Sequence, residues 1–431
     1  MTVGVVGLGA AGLRSAQLLE QAGIEVKLFE AKGRPGGRLH TIDEGDGAVY
    51  EAGGEWIDSD HHRVLSLLKQ FSLEPDVKTN WPRKLIYEGK HTTEDLIWTD
   101  ALEDDLRVES AAREMCRELN SPPWTNHQVP EMDQRVLQDF LREHTQSERG
   151  LWWVTSKYRS DEGDDTDQIS LLGWLCGYLN YLNRDGDELS AFRIPGGGRG
   201  LCEKILQSLN GPHSFGTPLR RVRQDSKGVT LLFENGQTRV NHLILTLPPT
   251  ALERVVFEPA LSVTKRCAIE ACRMSRAVKI VWQFDRAWWK DREWGGSLHC
   301  DGPLQQTWDG SLDAAPILTA YICGEEAVRW SSLGDPVRAG LYELSLLFPE
   351  AAQHFKRGWF HNWVGDAHAG GAFSHLAPGY VLEHMEHIAT PEKHIHFAGE
   401  HTALWTGFIE GALESAERVV AELLNVIGKE N

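Results

Sequence analysis

The run from Val3 to Arg38 constrains the fold of this chain more than any other segment. It opens with an apolar strand pattern, Val3-Gly4-Val5-Val6, and turns through Gly7-Leu8-Gly9-Ala10-Ala11-Gly12. A helix-like stretch follows, then Val26-Lys27-Leu28-Phe29 leads to Glu30. Strand, glycine turn, helix and a second strand ending in an acid make up the βαβ unit that holds a dinucleotide. Gly7 permits the tight turn, Gly9 lets the backbone approach a pyrophosphate, and Gly12 lets the helix pack closely on the strand. The amides around Ala11 then face the phosphates at the positive end of the helix dipole. Glu30 is placed to accept hydrogen bonds from a ribose, and its charge disfavours a 2′-phosphate, so NADP is not expected. An ordinary turn before a helix also uses glycine, but it does not need the acid at this distance.

A second glycine cluster, Gly33-Arg34-Pro35-Gly36-Gly37-Arg38, follows Glu30 directly. A simple NAD domain has no use for it. A longer cofactor does, and Arg38 could offer a planar donor fork to phosphate. With Glu51-Ala52-Gly53-Gly54-Glu55-Trp56-Ile57 shortly after, the cluster resembles the flavin-containing amine oxidases, the family of monoamine, polyamine and L-amino-acid oxidases. The resemblance continues through Phe192 to Leu201, Arg220-Arg221-Val222, Leu243 to Pro249, Ala277 to Phe284, Phe397 to Thr402 and Gly407 to Ser415. It implies an α/β chain in which a Rossmann-like (GR2-type) FAD-binding domain is interwoven with an α+β substrate-binding domain. Residues 1–56, 191–250 and 393–431 are assigned to the first, and 57–190 and 251–392 to the second. It also implies FAD contacts from Gly7, Gly9, Ala11, Gly12, Glu30, Gly36, Gly37, Arg38, Gly53, Gly54, Glu55, Trp56, Val222, Gly399, Glu400 and Phe408.

The resemblance further assigns chemistry. Lys279 lies mid-strand among Val278, Ile280 and Val281. Alternation alone also permits an edge strand with Lys279 in solvent. The matching lysine of the family is catalytic and holds a water beside flavin N5. Phe373 and Phe408 match two aromatic walls that steer an ammonium group by its attraction to ring faces, and Trp405 is close enough to replace one. Ala372 stands where membrane monoamine oxidases carry the cysteine that bonds the flavin, so the FAD is expected to be noncovalent. Trp56 stands where well-studied L-amino-acid oxidases place a carboxylate-clamping arginine, and Asp58 where some polyamine oxidases place an acid. Both favour an amine over an amino acid. For an amino acid, Arg193 or Arg159 could supply the clamp. Asp58 or Ser59 could instead cap a helix beginning near His61.

Bulk properties narrow the class. Forty-four basic and 62 acidic residues give a formal charge of −18, which argues against nucleic acid or an anionic membrane as partner. The seven cysteines form no Cys-x-x-Cys pair and suit free thiols in a reducing cytosol. The first strand begins at residue 3 and no apolar run reaches spanning length, so a soluble cytoplasmic protein is expected. A homodimer is compatible with the sequence. No metal is expected: the histidines show no ligand spacing, and Asp161 to Asp167 reads as a solvated loop. The expected function is FAD-dependent oxidation of an amine to an imine, then an aldehyde or ketone plus ammonia, with O2 reduced to H2O2. The alternatives are an L-amino-acid oxidase yielding a 2-oxo acid, an amine dehydrogenase or desaturase, and a non-catalytic flavin-bearing interaction module.

Overall fold

Thr2–Val6 is the middle strand of a five-stranded parallel sheet, in the order His213–Ser214, Glu25–Phe29, Thr2–Val6, His242–Leu245, Ile395–Phe397. The structure is a computed structural model that describes residues 1–77, 81–182, 189–292 and 294–430. The β-branched runs alternate between two faces. Val3 and Val5 pack with Leu13, Leu19 and Val420 under the helices Ala10–Gln21 and Ile409–Glu430. Val6, Leu243 and Leu245 pack on the other face with Val222 and Leu231 of a four-stranded sheet. Gly4 makes that approach possible, since a Cβ there would lie 3.3 Å from both Leu231 and Val240. Each fully buried valine or leucine contributes roughly 1.5–3 kcal/mol relative to exposure.

The chain leaves Thr2–Val6 toward Glu25–Phe29 on one side and reaches His242–Leu245 on the other. This reversal opens a crevice at the carboxyl ends of the strands, where open α/β sheets bind ligands.

A second sheet has seven strands, in the order Phe355–Asn362, Ala277–Phe284, Ile317–Cys323, Gln306–Asp309, Leu298–Cys300, Lys84–Tyr87, Lys90–Thr93. All eight residues of Ala277–Phe284 are buried, because both flanks are paired and both faces are covered. The solvent-facing edge strand that alternation permits for Lys279 is therefore not what forms. The helices Thr99–Cys116, Leu137–His144, Glu148–Glu162 and Leu171–Leu182 share one apolar core with Tyr380 and Met385.

Two local expectations change. The helix His62–Gln70 is not capped by Asp58 or Ser59; its N-cap is His61, with no side-chain cap bond. Glu410 of the last helix reaches across instead and accepts from the amides of Arg63 (3.0 Å) and Val64 (3.1 Å). Asp161 to Asp167 is solvated only in part: Asp161 and Asp167 are exposed, but Asp164 and Thr166 are buried. Gly163, in the left-handed conformation at φ +69°, ends the helix and turns the chain inward. Asp164 is then 2 % exposed and accepts from Arg276 N (3.1 Å) and Nε (3.0 Å). No described helix is long and apolar enough to cross a membrane. All seven cysteines are free, and only Cys267 is exposed.

Candidate active site

A single cavity of about 1270 Å³ runs from the crevice of the parallel sheet to the face of the seven-stranded sheet. Pockets for ordinary small ligands hold roughly 300–1,000 Å³, so this one has room for a dinucleotide and a substrate.

Backbone sterics build the crevice end. Gly7 adopts φ +97°, which non-glycine residues avoid. A Cβ on Gly12 would sit 1.9 Å from the Gly7 carbonyl oxygen, and one on Gly53 would sit 1.9 Å from the Arg38 carbonyl oxygen. The helix Ala10–Gln21 carries no acid in its first turn, and its cap Gly9 contributes no side chain. Its positive end is thus left for an anion. Gly9, Ala11, Gly36 and Gly37 line the cavity, whereas Gly12 packs behind it. Glu30 is buried and accepts from the amides of Leu8 and Lys32, both at 2.8 Å, with its carboxylate on the cavity wall. Val222 points into the core and is not among the lining residues; Leu219 and Arg220 line that end instead.

Two arginines divide the work of the second glycine cluster. Arg34 staples the loop, donating to the carbonyls of Pro35 (3.1 Å), Leu39 (3.2 Å) and Gly37 (2.9 Å). Arg38 donates to Glu400 (2.6 Å) and to the carbonyl of Ala372 (3.1 Å). Glu400 also accepts from Ser374 N (3.1 Å), Ser374 Oγ (2.6 Å) and Gly407 N (2.7 Å). Burial alone would raise its pKa, but Arg38, His401 and Ser374 hold it below the usual glutamate value. Glu400 therefore stays charged and braces the segments of Arg38, Ser374 and Gly407.

Lys279 closes the other end. It is 5 % exposed, and its Nζ donates to the carbonyls of Gly53 (2.9 Å) and Glu51 (3.2 Å) and to Glu55 Oε2 (3.1 Å). Glu55 also accepts from Trp308 Nε1 at 3.1 Å and lies 3.4 Å from Arg193 Nη1. A buried ammonium is tolerable only with such partners. Phe373 packs where a Cβ on Gly163 would come within 2.4 Å of its ring, and Phe408 packs edge-on against His61 at 5.3 Å. Phe373, Phe408, Trp405, Trp56 and Asp58 all line the cavity. Asp58 is buried and accepts from Ser190 N at 2.7 Å.

The chain matches the family model described as flavin containing amine oxidoreductase over residues 10–424. It belongs to the flavin-containing amine oxidoreductases. Amine oxidase [flavin-containing] A of Bos taurus is 26 % identical over 459 residues, covering 99 % of this chain and 85 % of that protein. The L-amino acid dehydrogenase of Synechocystis is 23 % identical over 454 residues, covering 98 % and 94 %. The solved cyclohexylamine oxidase from Brevibacterium oxydans superposes with a TM-score of 0.89 at 23 % identity, covering 99 % of each chain; that likeness shows the fold. A flavin amine oxidoreductase binds FAD, and the residues present fit it. Close glycine approaches, a helix end free of acid and an acid at the ribose position are joined by one cavity to Lys279.

Sequence reasoning missed several lining residues: Trp308, Trp363, Tyr321, Gln306, Asp161 and Glu162. Asp161 is exposed and Glu162 half-buried on the cavity wall, where desolvation by the surrounding protein raises the pKa of Asp161 to about 6, against the pull of Lys157 and Arg83, and that of Glu162 to about 7, with Asp161 adding to it. Trp308 and Gln306 lie on one short strand that no motif marks. Asp161 and Glu162 were visible only as an acidic run.

Proposed function

We propose that this flavoenzyme oxidises a small-molecule amine at the carbon bearing nitrogen, with O2 as acceptor. The observation that carries this reading is Lys279, fixed on a central strand of the second sheet and facing the cavity whose other end is the glycine cradle. Bound FAD supplies the electron-accepting chemistry. The chain binds and orients. Phe373, Phe408, Trp308 and Trp363 line the cavity and offer ring faces to a cationic amine. Gly7, Gly9 and Ala11 would hold the cofactor's phosphates, and the Arg38–Glu400 brace would fix the wall beside its flavin portion. The imine product hydrolyses in water to an aldehyde or ketone and ammonia. Incubation with primary amines should yield hydrogen peroxide and carbonyl product in equal amounts. Amine-dependent dye reduction without peroxide would replace the oxidase by a dehydrogenase.

The cofactor is held without a covalent bond, as Ala372 carries no thiol on the cavity wall. Acid precipitation should leave all the yellow colour in the supernatant; flavin in the pellet would contradict this.

One observation favours a second reading, an L-amino acid as substrate. The strand Phe192–Arg193 pairs with Trp56–Ile57 so that Arg193 stands opposite Trp56, and its guanidinium lies 5.4 Å from the indole centroid. Arg193 thus occupies the neighbourhood of the clamp that Trp56 cannot provide, and it lines the cavity, whereas Arg159 does not. A charge-assisted hydrogen bond contributes about 1.5–3 kcal/mol. On this reading Arg193→Leu should raise KM for L-amino acids by about 10- to 100-fold. An unchanged KM would remove Arg193 as the clamp.

A further inference from the structure

Lys279 has three ammonium protons, and the protein supplies three acceptors: two backbone carbonyls and the Glu55 carboxylate. The carbonyls come from a segment fixed by the close approach of Gly53 to Arg38, and no side-chain substitution removes them. Glu55 is the adjustable partner. It is 6 % exposed, and its carboxylate is shared by Lys279, Trp308 Nε1 and Arg193. Arg193 in turn donates to the Asp309 carbonyl at 3.2 Å. One anion thus lies between two cations, with an indole donor fixing its plane.

We propose that Glu55 is the positioning residue for Lys279, holding it as an oriented ammonium at the cavity wall rather than leaving it as a neutral base. The proposal rests on the reading of Lys279 as a residue of the oxidation site. Several groups face Lys279 from neighbouring elements. Glu51 and Glu55 lie on its own donor side, Trp308 lies beneath its Nζ at 5.1 Å, and Tyr321 and His361 sit opposite it on the flanking strands. Burial, aided by His40 and Lys279, holds His361 neutral by lowering its pKa to about 4. Glu51 is held toward its neutral form: burial, reinforced by Glu55, raises it to about 7 against the Gly198 amide, Thr41 and Lys279. Glu55 is thus the carboxylate whose own oxygen contacts Nζ directly, whereas Glu51 reaches it through its backbone carbonyl. Replacing it by glutamine keeps an acceptor and removes the charge that favours the ammonium.

The test compares the holoenzymes of the parent, Glu55→Gln, Glu55→Asp and Lys279→Met. Each is treated with cyanate at pH 8 and its lysines are read by mass spectrometry. Anaerobic flavin reduction by a substrate amine is followed as a function of pH. A carboxylate next to an ammonium is worth one or more pKa units, so Glu55→Gln should carbamylate at Lys279 about tenfold faster than the parent. It should also lose flavin reduction at lower pH than the parent does. Glu55→Asp, which keeps the charge, should restore most of the protection. Lys265, 2 % exposed and with its pKa lowered to about 7 by burial, is the folding control: its labelling rate should be the same in every variant. Parent-like labelling of Lys279 and a parent-like pH profile in Glu55→Gln would overturn the proposal. So would labelling that rises at Lys265 as well, since that marks general loosening. If Lys279→Met reduces its flavin as fast as the parent, the reading of Lys279 itself fails, whatever Glu55 does.

Discussion

Lys279→Met slows the reduction of bound flavin by an amine by about 10²- to 10³-fold, the usual cost of removing one preorganised charge from a closed site, and the variant still purifies with its FAD. The two halves of this expectation come from different parts of the molecule. Lys279 meets the cavity at its sheet end, through Gly53, Glu51 and Glu55. Gly7, Gly9 and the start of the helix Ala10–Gln21, which would hold the cofactor's phosphates, are not among the partners of its Nζ. Methionine fills similar space without a donor. It leaves Glu55 with Arg193 and Trp308, so the buried carboxylate keeps one cation and the loss of stability stays below the about 3–5 kcal/mol of a fully broken buried pair. Stopped-flow absorbance under anaerobic conditions separates the slowed step from this loss. Parent-like reduction rates would remove the catalytic assignment.

Gly12→Ala produces a protein that cannot retain FAD. The added Cβ falls 1.9 Å from the Gly7 carbonyl oxygen and 3.1 Å from Thr246 Oγ1. The first of these neighbours is backbone, in a turn already committed to φ +97° at Gly7, so it cannot swing aside. The helix must move off the strand, and with it the amides of the cradle. Overpacking of this kind costs about 3 kcal/mol or more. Gly23→Ala is the contrast. Gly23, unlike Gly12, has positive φ, +78°, but a Cβ there meets nothing within 4 Å. Only local strain of about 1 kcal/mol applies. FAD content per polypeptide and the thermal midpoint should fall sharply in Gly12→Ala and little in Gly23→Ala; equal behaviour would contradict the account of the cradle.

What could be read from the sequence follows from how local each interaction is. The turn from Gly7 to Gly12 is legible because its requirements are met within a few residues: a positive φ, a close approach and a helix start. Glu30 is legible because the βαβ unit fixes its distance. Lys279 was ambiguous from alternation, since burial of both faces depends on strands about forty and eighty residues away. The family resemblance, not periodicity, pointed to it. Glu55 was read only as one residue of a cofactor segment. Its partners Lys279, Arg193 and Trp308 come from three separate elements and carry no shared spacing. The cap on His62–Gln70 shows the same limit. Asp58 and Ser59 were the local candidates, and Glu410 took the position from the far end of the chain. Asp161 to Asp167 looked solvated because composition cannot show that Arg276 waits beneath Asp164.

The most direct test of the central claim is anaerobic bleaching of the purified flavoprotein near 450 nm (about the oxidised flavin band), with monoamines, diamines and polyamines, and L-amino acids offered in parallel. Bleaching by one or more amines, lost in Lys279→Met, is the result this account predicts. Bleaching by none of these substrates, with FAD fully bound, would contradict it and leave a flavin carrier without amine oxidation.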